Sequence, residues 1–347
     1  MRKPVSIQKL SIYRYEIPLK IKVFIRGISF SCKRGLLAKF EDTEGNESWG
    51  EISLLPPTEE KIKTCIEWVE KNYHYLLGEI DFSSLDTYPE IKFAIISALD
   101  YFNYDTSDFT DIPVKVNALL AGEFYTILEE AERKRSQGYS VFKIKMGEYS
   151  LTTAVDLISR IQTILGNEIQ IVLDLNRQWA LHKTLDLIEQ IADTRILYIE
   201  DPVRKLEELP NYFNLSPIKA GIDEFLEGWN IKLEEMCKNY SEKIIFVMKP
   251  SILYGTEVWQ KLWTNKSIMK VFTSAWETGI GLRGILNLIF KNRTNVEFVG
   301  LDTYSYLKND IVKPFLPILF PQISPHILKK PFSIIEEQLE KIHSWEV

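Results

Sequence analysis

Five short apolar runs, each ending in a charged residue, recur at nearly even spacing between residues 142 and 250. The runs are FKIKMG, IVLDLN, LYIED, GIDEF and IFVMKP, and their charged residues are Lys145, Asp174, Glu200, Asp223 and Lys249. The intervals of 23 to 29 residues suit one strand plus one returning helix, since a βαβ unit takes roughly 30 residues. Each charged side chain is therefore expected at the carboxyl end of a parallel strand, the face of an α/β barrel that carries chemistry.

The same rhythm extends over most of the chain and predicts the α/β fold class. Amphipathic stretches separate the apolar runs, which indicates a (β/α)8-type TIM barrel over residues 113–302. Its eight strands are expected near 114–120, 141–146, 171–176, 197–201, 221–225, 244–249, 271–276 and 297–302.

Residues 1–112 have a different pattern, which predicts an α+β capping domain. A strand is expected at 6–17, a hairpin turn at Glu44–Asn46, and helices within 56–73 and 89–102. Residues 19–34 fit either a second strand or a mobile loop. The boundary is expected within 103–113. Residues 303–347 are expected to return to the capping domain and to end in a helix over 333–345.

Composition excludes several classes of function. The 347 residues carry a net charge of −6, which predicts no nucleic-acid partner and disfavours an anionic membrane surface. No apolar run approaches the length of a membrane span, and the first residues lack the apolar core of a secretory signal. Three widely spaced cysteines predict neither a disulfide framework nor a metal motif. We therefore expect a cytoplasmic protein.

The three carboxylates predict a metal site. Asp174, Glu200 and Asp223 would meet at one edge of the barrel, and like charges crowd together only at a cost unless a cation lies between them. Carboxylate oxygens suit a magnesium-type ion. Any one of them alone would more simply be a helix cap. Asn176, Asp201 and Glu224 lie beside the ligands in sequence. They either orient the ligands, hold lysines or face solvent.

The lysines predict that the same pocket also contains positively charged side chains. Lys143 and Lys145 are two residues apart, so a regular strand points both the same way, and an inward direction would place them near the carboxylates. Lys249 would face Lys145 across the pocket, although a surface position is the simpler alternative. The segment TSAWETGIGL, residues 273–282, could hold an anion through backbone amides at a helix start.

Together these motifs resemble those of the enolase superfamily, in which a lysine or histidine base works with magnesium. The matching segments are FKIKMG, LDLN, IEDP, IDE and MKP, in order, over roughly the whole chain. They are typical of the branch that resembles muconate lactonising enzymes. WGEISLLP, GLDTY and TSAWETGIGL make the chain most similar to the o-succinylbenzoate synthase family.

The resemblance implies a modified barrel with an amino-terminal cap, and a Mg²⁺ ion held by Asp174, Glu200 and Asp223. It also implies a small-molecule carboxylate substrate that is dehydrated to o-succinylbenzoate, with residues 19–34 closing over it. The other roles that it implies are a base (Lys145), a stabilising cation (Lys249) and a group that holds the substrate carboxylate (Lys143). We further expect Asn176 and Ser274 to contact the substrate and Glu224 to lie behind the metal ligands.

Two other enzymatic functions and one non-enzymatic function stay open at this point. A dipeptide epimerase or an N-acylamino acid racemase would use the same lysines and metal. Dipeptide epimerases usually have an Asp-x-Asp pair after the eighth strand, whereas Asp302 is followed by Tyr304 two positions later. A barrel that only binds a ligand is disfavoured because all five charged residues are present. The oligomeric state is left open.

Overall fold

The amino-terminal part of the chain is an antiparallel sheet with two helices packed on it. The computed structural model describes residues 5–25, 27–81, 85–102, 112–191, 195–291, 296–316 and 321–347. The elements of this part are β1 (Ser6–Ile25), β2 (Ile28–Asp42), β3 (Glu47–Ser53), α1 (Glu59–Asn72), β4 (Gly78–Glu79) and α2 (Pro89–Phe102).

Strands β1 and β2 form one long hairpin that extends beyond the sheet. Its pairing runs from Ile7 with Asp42 to Ile25 with Ile28, with an irregularity after Pro18. Of the two alternatives for residues 19–34, the strand is therefore the one observed. Part-way along the hairpin, Leu19 bridges Leu307 of the carboxyl-terminal segment, so the hairpin contacts the second part of the chain.

The two helices begin where the sequence predicts. In α1 the Thr58 hydroxyl accepts a hydrogen bond from the amide of Lys61, at 3.4 Å, and caps the helix. Ile62, Cys65 and Val69 are buried from this helix, as the 3.6-residue period requires. Helix α2 begins at Pro89, whose missing N–H costs nothing at the first helical position. Together with the sheet, these helices enclose a separate apolar cluster.

From residue 114 onward, strands and helices alternate. The elements are β5 (Val114–Val116), β6 (Ala118–Leu120), α3 (Phe124–Ser136), β7 (Val141–Lys145), α4 (Leu151–Leu165), β8 (Gln170–Asp174), α5 (Leu181–Gln190), β9 (Ile196–Glu200), α6 (Leu209–Leu215), β10 (Lys219–Ile222), α7 (Ile231–Asn239), β11 (Ile244–Met248), α8 (Pro250–Leu253), α9 (Glu257–Thr264), β12 (Met269–Thr273), α10 (Gly279–Lys291) and β13 (Phe298–Gly300).

These strands close into a barrel, and the predicted fold class is confirmed. Strands β6 to β13 pair with their neighbours in chain order, all in parallel. Strand β5 pairs with β13, the last of them. Because β5 and β6 are two halves of the predicted first strand, this stretch pairs on both sides and completes a ring of eight. A 3₁₀ helix at Asp302–Tyr306 follows the eighth strand.

The floor of the barrel is apolar and the layer above it is charged. Seven inward residues form a buried cluster of their own: Val141, Val172, Tyr198, Ile245, Val247, Val271 and Phe298. Tyr198 and Phe298, from opposite sides of the ring, stack with their ring centroids 6.4 Å apart. Because side chains alternate along a strand, residues two positions later point into the same interior, at its carboxyl end.

The carboxyl-terminal segment departs from the sequence expectation. Its strands are β14 (Val312–Lys313), β15 (Gln322–Ile323), β16 (Ser333–Ile334) and β17 (Glu340–Glu346). The helix predicted over 333–345 is therefore wrong. Strand β17 pairs antiparallel with β1, and Trp345 stacks on Tyr73 with centroids 5.1 Å apart. The open edge of β1 offers hydrogen bonds that outweigh the local helical pattern.

The structure does not test the predicted boundary between the two domains. The boundary expected within 103–113 falls mostly on residues 103–111, outside the described residues. The domain limits stay a prediction.

Among the described residues, no helix has the length and apolar character that a bilayer crossing requires.

Candidate active site

The five charged residues singled out in the sequence line one pocket at the carboxyl ends of the barrel strands. Lys145, Asp174 and Glu200 end β7, β8 and β9, and Asp223 and Lys249 come one residue after β10 and β11. The register places Lys145 beside Asp174 and Asp174 beside Glu200. Lys145 and Lys249 belong to the second and sixth strands, so they lie on opposite sides of the ring.

Asp174 joins both lysines of β7. Its Oδ2 lies 3.0 Å from the Nζ of Lys143 and 3.0 Å from the Nζ of Lys145. Burial alone would raise the pKa of this carboxyl, but the two ammonium groups outweigh burial and hold it below its usual value. Asp174 is therefore an anion that keeps Lys143 and Lys145 in the pocket.

Glu200 is a buried carboxyl whose pKa is shifted upward by its surroundings. It is 1% exposed, and its Oε1 accepts a hydrogen bond from Lys143 at 2.6 Å. Burial and the neighbouring Asp174 raise its pKa well above the usual value, despite the lysine. Its second oxygen, Oε2, is buried without a hydrogen-bond partner, which costs free energy unless a cation or donor meets it.

Lys249 pairs with Asp223 on the far side. The ammonium donates to Oδ2 of Asp223. Burial lowers the pKa of Lys249, but Asp223 and Glu200 outweigh it, so that the net pKa lies above the ordinary value. Burial also lowers the pKa of Lys143, but the charges of Asp174 and Glu200 outweigh burial and raise it above the ordinary value. Both side chains are thus cations at neutral pH.

The carboxylates fit a hard divalent cation by their chemistry. All three offer oxygen donors on neighbouring strands, and Glu200 Oε2 lacks a partner. Across the described part of the chain, however, no group of three or more acidic, histidine or cysteine side chains is gathered as a metal cluster. Lysine ammonium groups lie among these carboxylates instead, and a bound cation would replace part of that pairing.

The residues next to the carboxylates in sequence support them. The Asn176 side-chain oxygen accepts from Lys145 Nζ at 3.1 Å, and its backbone has a positive φ of 45°. Asp201 is fully buried and accepts from the amides of Asp223 and Glu224, at 3.1 and 2.9 Å. Asp201 thereby fixes the backbone that carries Asp223, while Glu224 lines the pocket.

The segment after β12 forms another wall of the pocket. Ser274 is buried, contacts Thr303 through its hydroxyl and lines the pocket together with Trp276. The anion expected at the start of α10 is supplied by the chain itself. The Glu51 carboxylate of β3 accepts from the amides of Thr278 and Gly281, each at 2.9 Å. These amides are therefore not available to a substrate.

A buried ion pair beyond β13 was missed in the sequence. Lys134 of α3 ion-pairs with Asp302, and Asp302 Oδ2 also accepts from the amide of Leu119 at 2.6 Å. A signal for Lys134 is present in the helix: it follows Ile127 and Ala131 at i+7 and i+3, on the buried face. A lysine on an apolar helix face predicts a buried carboxylate that pairs with it, because an unpaired buried ammonium is unfavourable.

Comparisons with known proteins agree with this architecture. Residues 7–101 match the family model described as "MenC, N-terminal domain", and residues 126–230 match that of "Enolase C-terminal domain-like" proteins. Together they cover more than half of the chain. The chain belongs to the enolase superfamily.

Two curated superfamily relatives carry one name. The o-succinylbenzoate synthase of Yersinia pseudotuberculosis serotype O:1b is 23% identical over 329 residues, covering 90% of this chain and 96% of the relative. That of Haemophilus influenzae is 24% identical over 337 residues, with the same coverage. Among solved structures, a dipeptide epimerase from Enterococcus faecalis, complexed with Mg and a dipeptide, has a TM-score of 0.77 at 19% identity. This match covers 92% of this chain and 97% of that chain, and it bears on the fold alone.

Proposed function

We propose that this superfamily member is an o-succinylbenzoate synthase. It would dehydrate 2-succinyl-6-hydroxy-2,4-cyclohexadiene-1-carboxylate to 2-succinylbenzoate, a step of menaquinone biosynthesis. The observation that carries the proposal is the placement of Lys145 and Lys249 on opposite sides of a pocket with three carboxylates between them. That arrangement suits abstraction of a proton α to a carboxylate, because the enediolate that forms needs positive charge around it. The two curated relatives supply the choice of substrate.

Lys145 is the proposed base. It takes the α-proton from the ring carbon that bears the carboxylate, and the electron pair moves into the carboxylate as an enediolate. The pair then returns to expel the 6-hydroxyl, to which Lys145 gives the proton, so that water leaves and the ring becomes aromatic. The side chain of Lys145 is 27% exposed, which gives it access to the substrate, while Asp174 and Asn176 orient its amine.

Lys249 and Lys143 are proposed to act as fixed cations. Their raised pKa values keep both protonated, which suits stabilisation of the enediolate by Lys249 and retention of the substrate carboxylate by Lys143. Asp174, Glu200 and Asp223 are the proposed ligands of Mg²⁺. When bound, this ion would supply Lewis-acid stabilisation of the developing negative charge. Asn176 and Ser274 remain proposed substrate contacts.

Dipeptide epimerisation is the second candidate, and the pocket disfavours it. A substrate ammonium would need a free carboxylate after the eighth strand. Asp302 stands there, but Lys134 and the amide of Leu119 already use it. Tyr304, two residues later, is buried and donates to Asp310. N-acylamino acid racemisation needs no such carboxylate and stays open as a second activity of the same lysines.

The proposal is tested by assaying purified protein with Mg²⁺ and the cyclohexadiene substrate. We expect dehydration, a fall of about 10²–10⁴-fold in kcat for Lys145→Ala, and traces of activity for Lys249→Arg, which keeps the charge but changes its shape. Lys219→Ala, an exposed lysine at the start of β10, is the matched control and should be normal.

Two outcomes would contradict these assignments. Near-normal dehydration by Lys145→Ala combined with its loss in Lys249→Ala would reverse the lysine roles. No dehydration by the unsubstituted protein, with epimerisation of a dipeptide in its place, would reject the proposed reaction and favour the second candidate. A barrel that only binds ligand would incorporate no solvent deuterium into any carboxylate.

A further inference from the structure

A buried polar network joins the amino-terminal sheet to the pocket wall, and the proposed chemistry does not use it. Glu51 of β3 is 1% exposed and accepts from Tyr15 Oη at 2.6 Å and from Thr278 Oγ1 at 2.6 Å. Its contacts with the amides of Thr278 and Gly281 complete a set of four donors. So many donors on one carboxylate suit an anion with a fixed position.

Lys33 of β2 holds the other end of the same segment. It is fully buried and donates to the carbonyl of Ala275 at 3.1 Å, besides Ser53 Oγ and the carbonyl of Leu54, each at 2.8 Å. A buried ammonium that reaches a barrel loop and its own sheet ties the two together. Residues 275 and 278 are thus both fixed from the amino-terminal domain.

Between these two fixed points lies Trp276, in a conformation that a tryptophan rarely adopts. Its φ is +66°, in the left-handed region that favours glycine. Its side chain is buried, lines the pocket and meets Tyr306 edge-on, with centroids 6.2 Å apart. Such a backbone persists only where the surroundings hold it, and the hydrogen bonds of Lys33 and Glu51 lie on either side of it.

We propose that Glu51 is a positioning residue of the amino-terminal domain that, together with Lys33, sets the place of Trp276 and so the fit of the pocket to its substrate. This inference rests on the proposed function for its substrate, but not for its structural part. The amino-terminal domain would therefore shape the pocket at two places: through the hairpin near Ile25 and, independently, through the wall at Trp276.

The first arm of the test needs no activity. Amide hydrogen exchange is measured in Glu51→Gln, in which an NH₂ group replaces one of the accepting oxygens. We expect exchange at Thr278 and Gly281 to rise at least tenfold, with β12 unchanged. Glu47→Gln, from the exposed end of the same strand, is the matched control and should match the unsubstituted protein. Unchanged exchange at both amides would overturn the proposal.

The second arm is a double-mutant cycle. We expect Glu51→Gln to raise the KM for the cyclohexadiene substrate about tenfold, with a smaller effect on kcat. Trp276→Gly removes the side chain and relieves the backbone, so adding Glu51→Gln to it should change KM less than twofold. A full tenfold effect in both backgrounds would show that Glu51 does not act through Trp276, and would overturn the proposal.

Folding and the reaction itself are controlled separately. If Glu51→Gln does not fold, Glu51→Asp replaces it in both arms, with the same expectations. Glu51→Asp keeps the charge on a side chain that is one methylene shorter. If no variant and no unsubstituted protein dehydrates the substrate, the proposed function fails. The exchange arm, which needs no substrate, then decides the positioning role by itself.

Discussion

The ammonium of Lys134 and the carboxylate of Asp302 form a buried ion pair at the wall of the pocket, each side chain being 1% exposed. Lys134 also donates to the carbonyl of Leu119 at 2.8 Å and lies over the ring of Tyr306. The pair thus joins α3 to the 3₁₀ helix after the eighth strand. Asp302 lines the pocket, but its Oδ2 is already paired with Lys134 and with the amide of Leu119.

Breaking this pair should be costly. Lys134→Met leaves the Asp302 charge buried without its ammonium, and we expect the free energy of unfolding to fall by about 3–5 kcal/mol. Lys134→Met combined with Asp302→Asn should recover part of that loss. Lys63→Met removes an exposed pair with Glu67 and should change stability by less than about 1 kcal/mol. Denaturant titration measures all three, and equal small losses would contradict the prediction.

Metal dependence is the second prediction. Because Asp174, Glu200 and Asp223 are the proposed ligands of Mg²⁺, a chelator should abolish turnover and added Mg²⁺ should restore it. Glu200→Gln should weaken Mg²⁺ binding, as measured by titration calorimetry, and cost several kcal/mol of transition-state stabilisation. Asp156→Asn, an exposed carboxylate of α4, is the control. Full turnover after exhaustive removal of metal would rule the prediction out.

The third prediction concerns pH and Glu277. Burial, and then the neighbouring Glu51, raise the pKa of this carboxyl to about 7 from an ordinary value of 4.5. A raised pKa stabilises the folded state below pH 4.5, and that stabilisation is lost as the pH rises to 7. Relative to Glu277→Gln, the protein should therefore lose about 3 kcal/mol of unfolding free energy between these pH values.

Glutamine is a suitable reference at this position. Its side-chain oxygen can accept from the amide of Ala275 and its NH₂ can donate to Ser251, the two groups that Glu277 contacts at 2.6 and 2.5 Å. Urea titrations at pH 4.5, 5.5 and 7 give the comparison. Parallel stability curves for the two proteins would show that Glu277 does not titrate in this window.

The fourth prediction concerns the space inside the barrel. A Cβ added at Gly221 would lie 2.7 Å from the ring of Tyr198, which is stacked and cannot retreat easily. Gly221→Ala should therefore destabilise the protein by about 1–3 kcal/mol. Gly228→Ala adds a Cβ that meets nothing within 4 Å and should lie within about 0.5 kcal/mol of the unsubstituted protein. Similar denaturation midpoints would contradict the packing argument.

The barrel could be predicted from sequence because period and spacing are local properties of the chain. Apolar runs that end in charge fix where Lys145, Asp174 and Glu200 lie on their strands, and strand order then brings them together. The pairing of β17 with β1 could not be predicted in this way. The free hydrogen-bonding edge of β1 that β17 uses is created only when the sheet forms. The local pattern of 333–345 suggested a helix instead.

The site could be predicted only in part, for a related reason. Side chains at strand ends follow from the strands, whereas Glu51 and Lys33 reach the pocket wall from another domain. Their contacts with residues 275–281 span more than 220 positions, and no local pattern encodes such a distance. The positive φ of Trp276 is likewise a product of those contacts rather than of its neighbours in sequence.

Closure of the ring has a consequence for the order of events during synthesis. Val116 pairs with Val299, 183 positions later, and loop closure over such a distance makes folding slow. At roughly 5–20 residues per second, the ribosome delivers β13 about 10–40 s after β5. During that time the first strands lack the partner that closes the barrel. Their apolar inner faces are therefore exposed to aggregation or to chaperones.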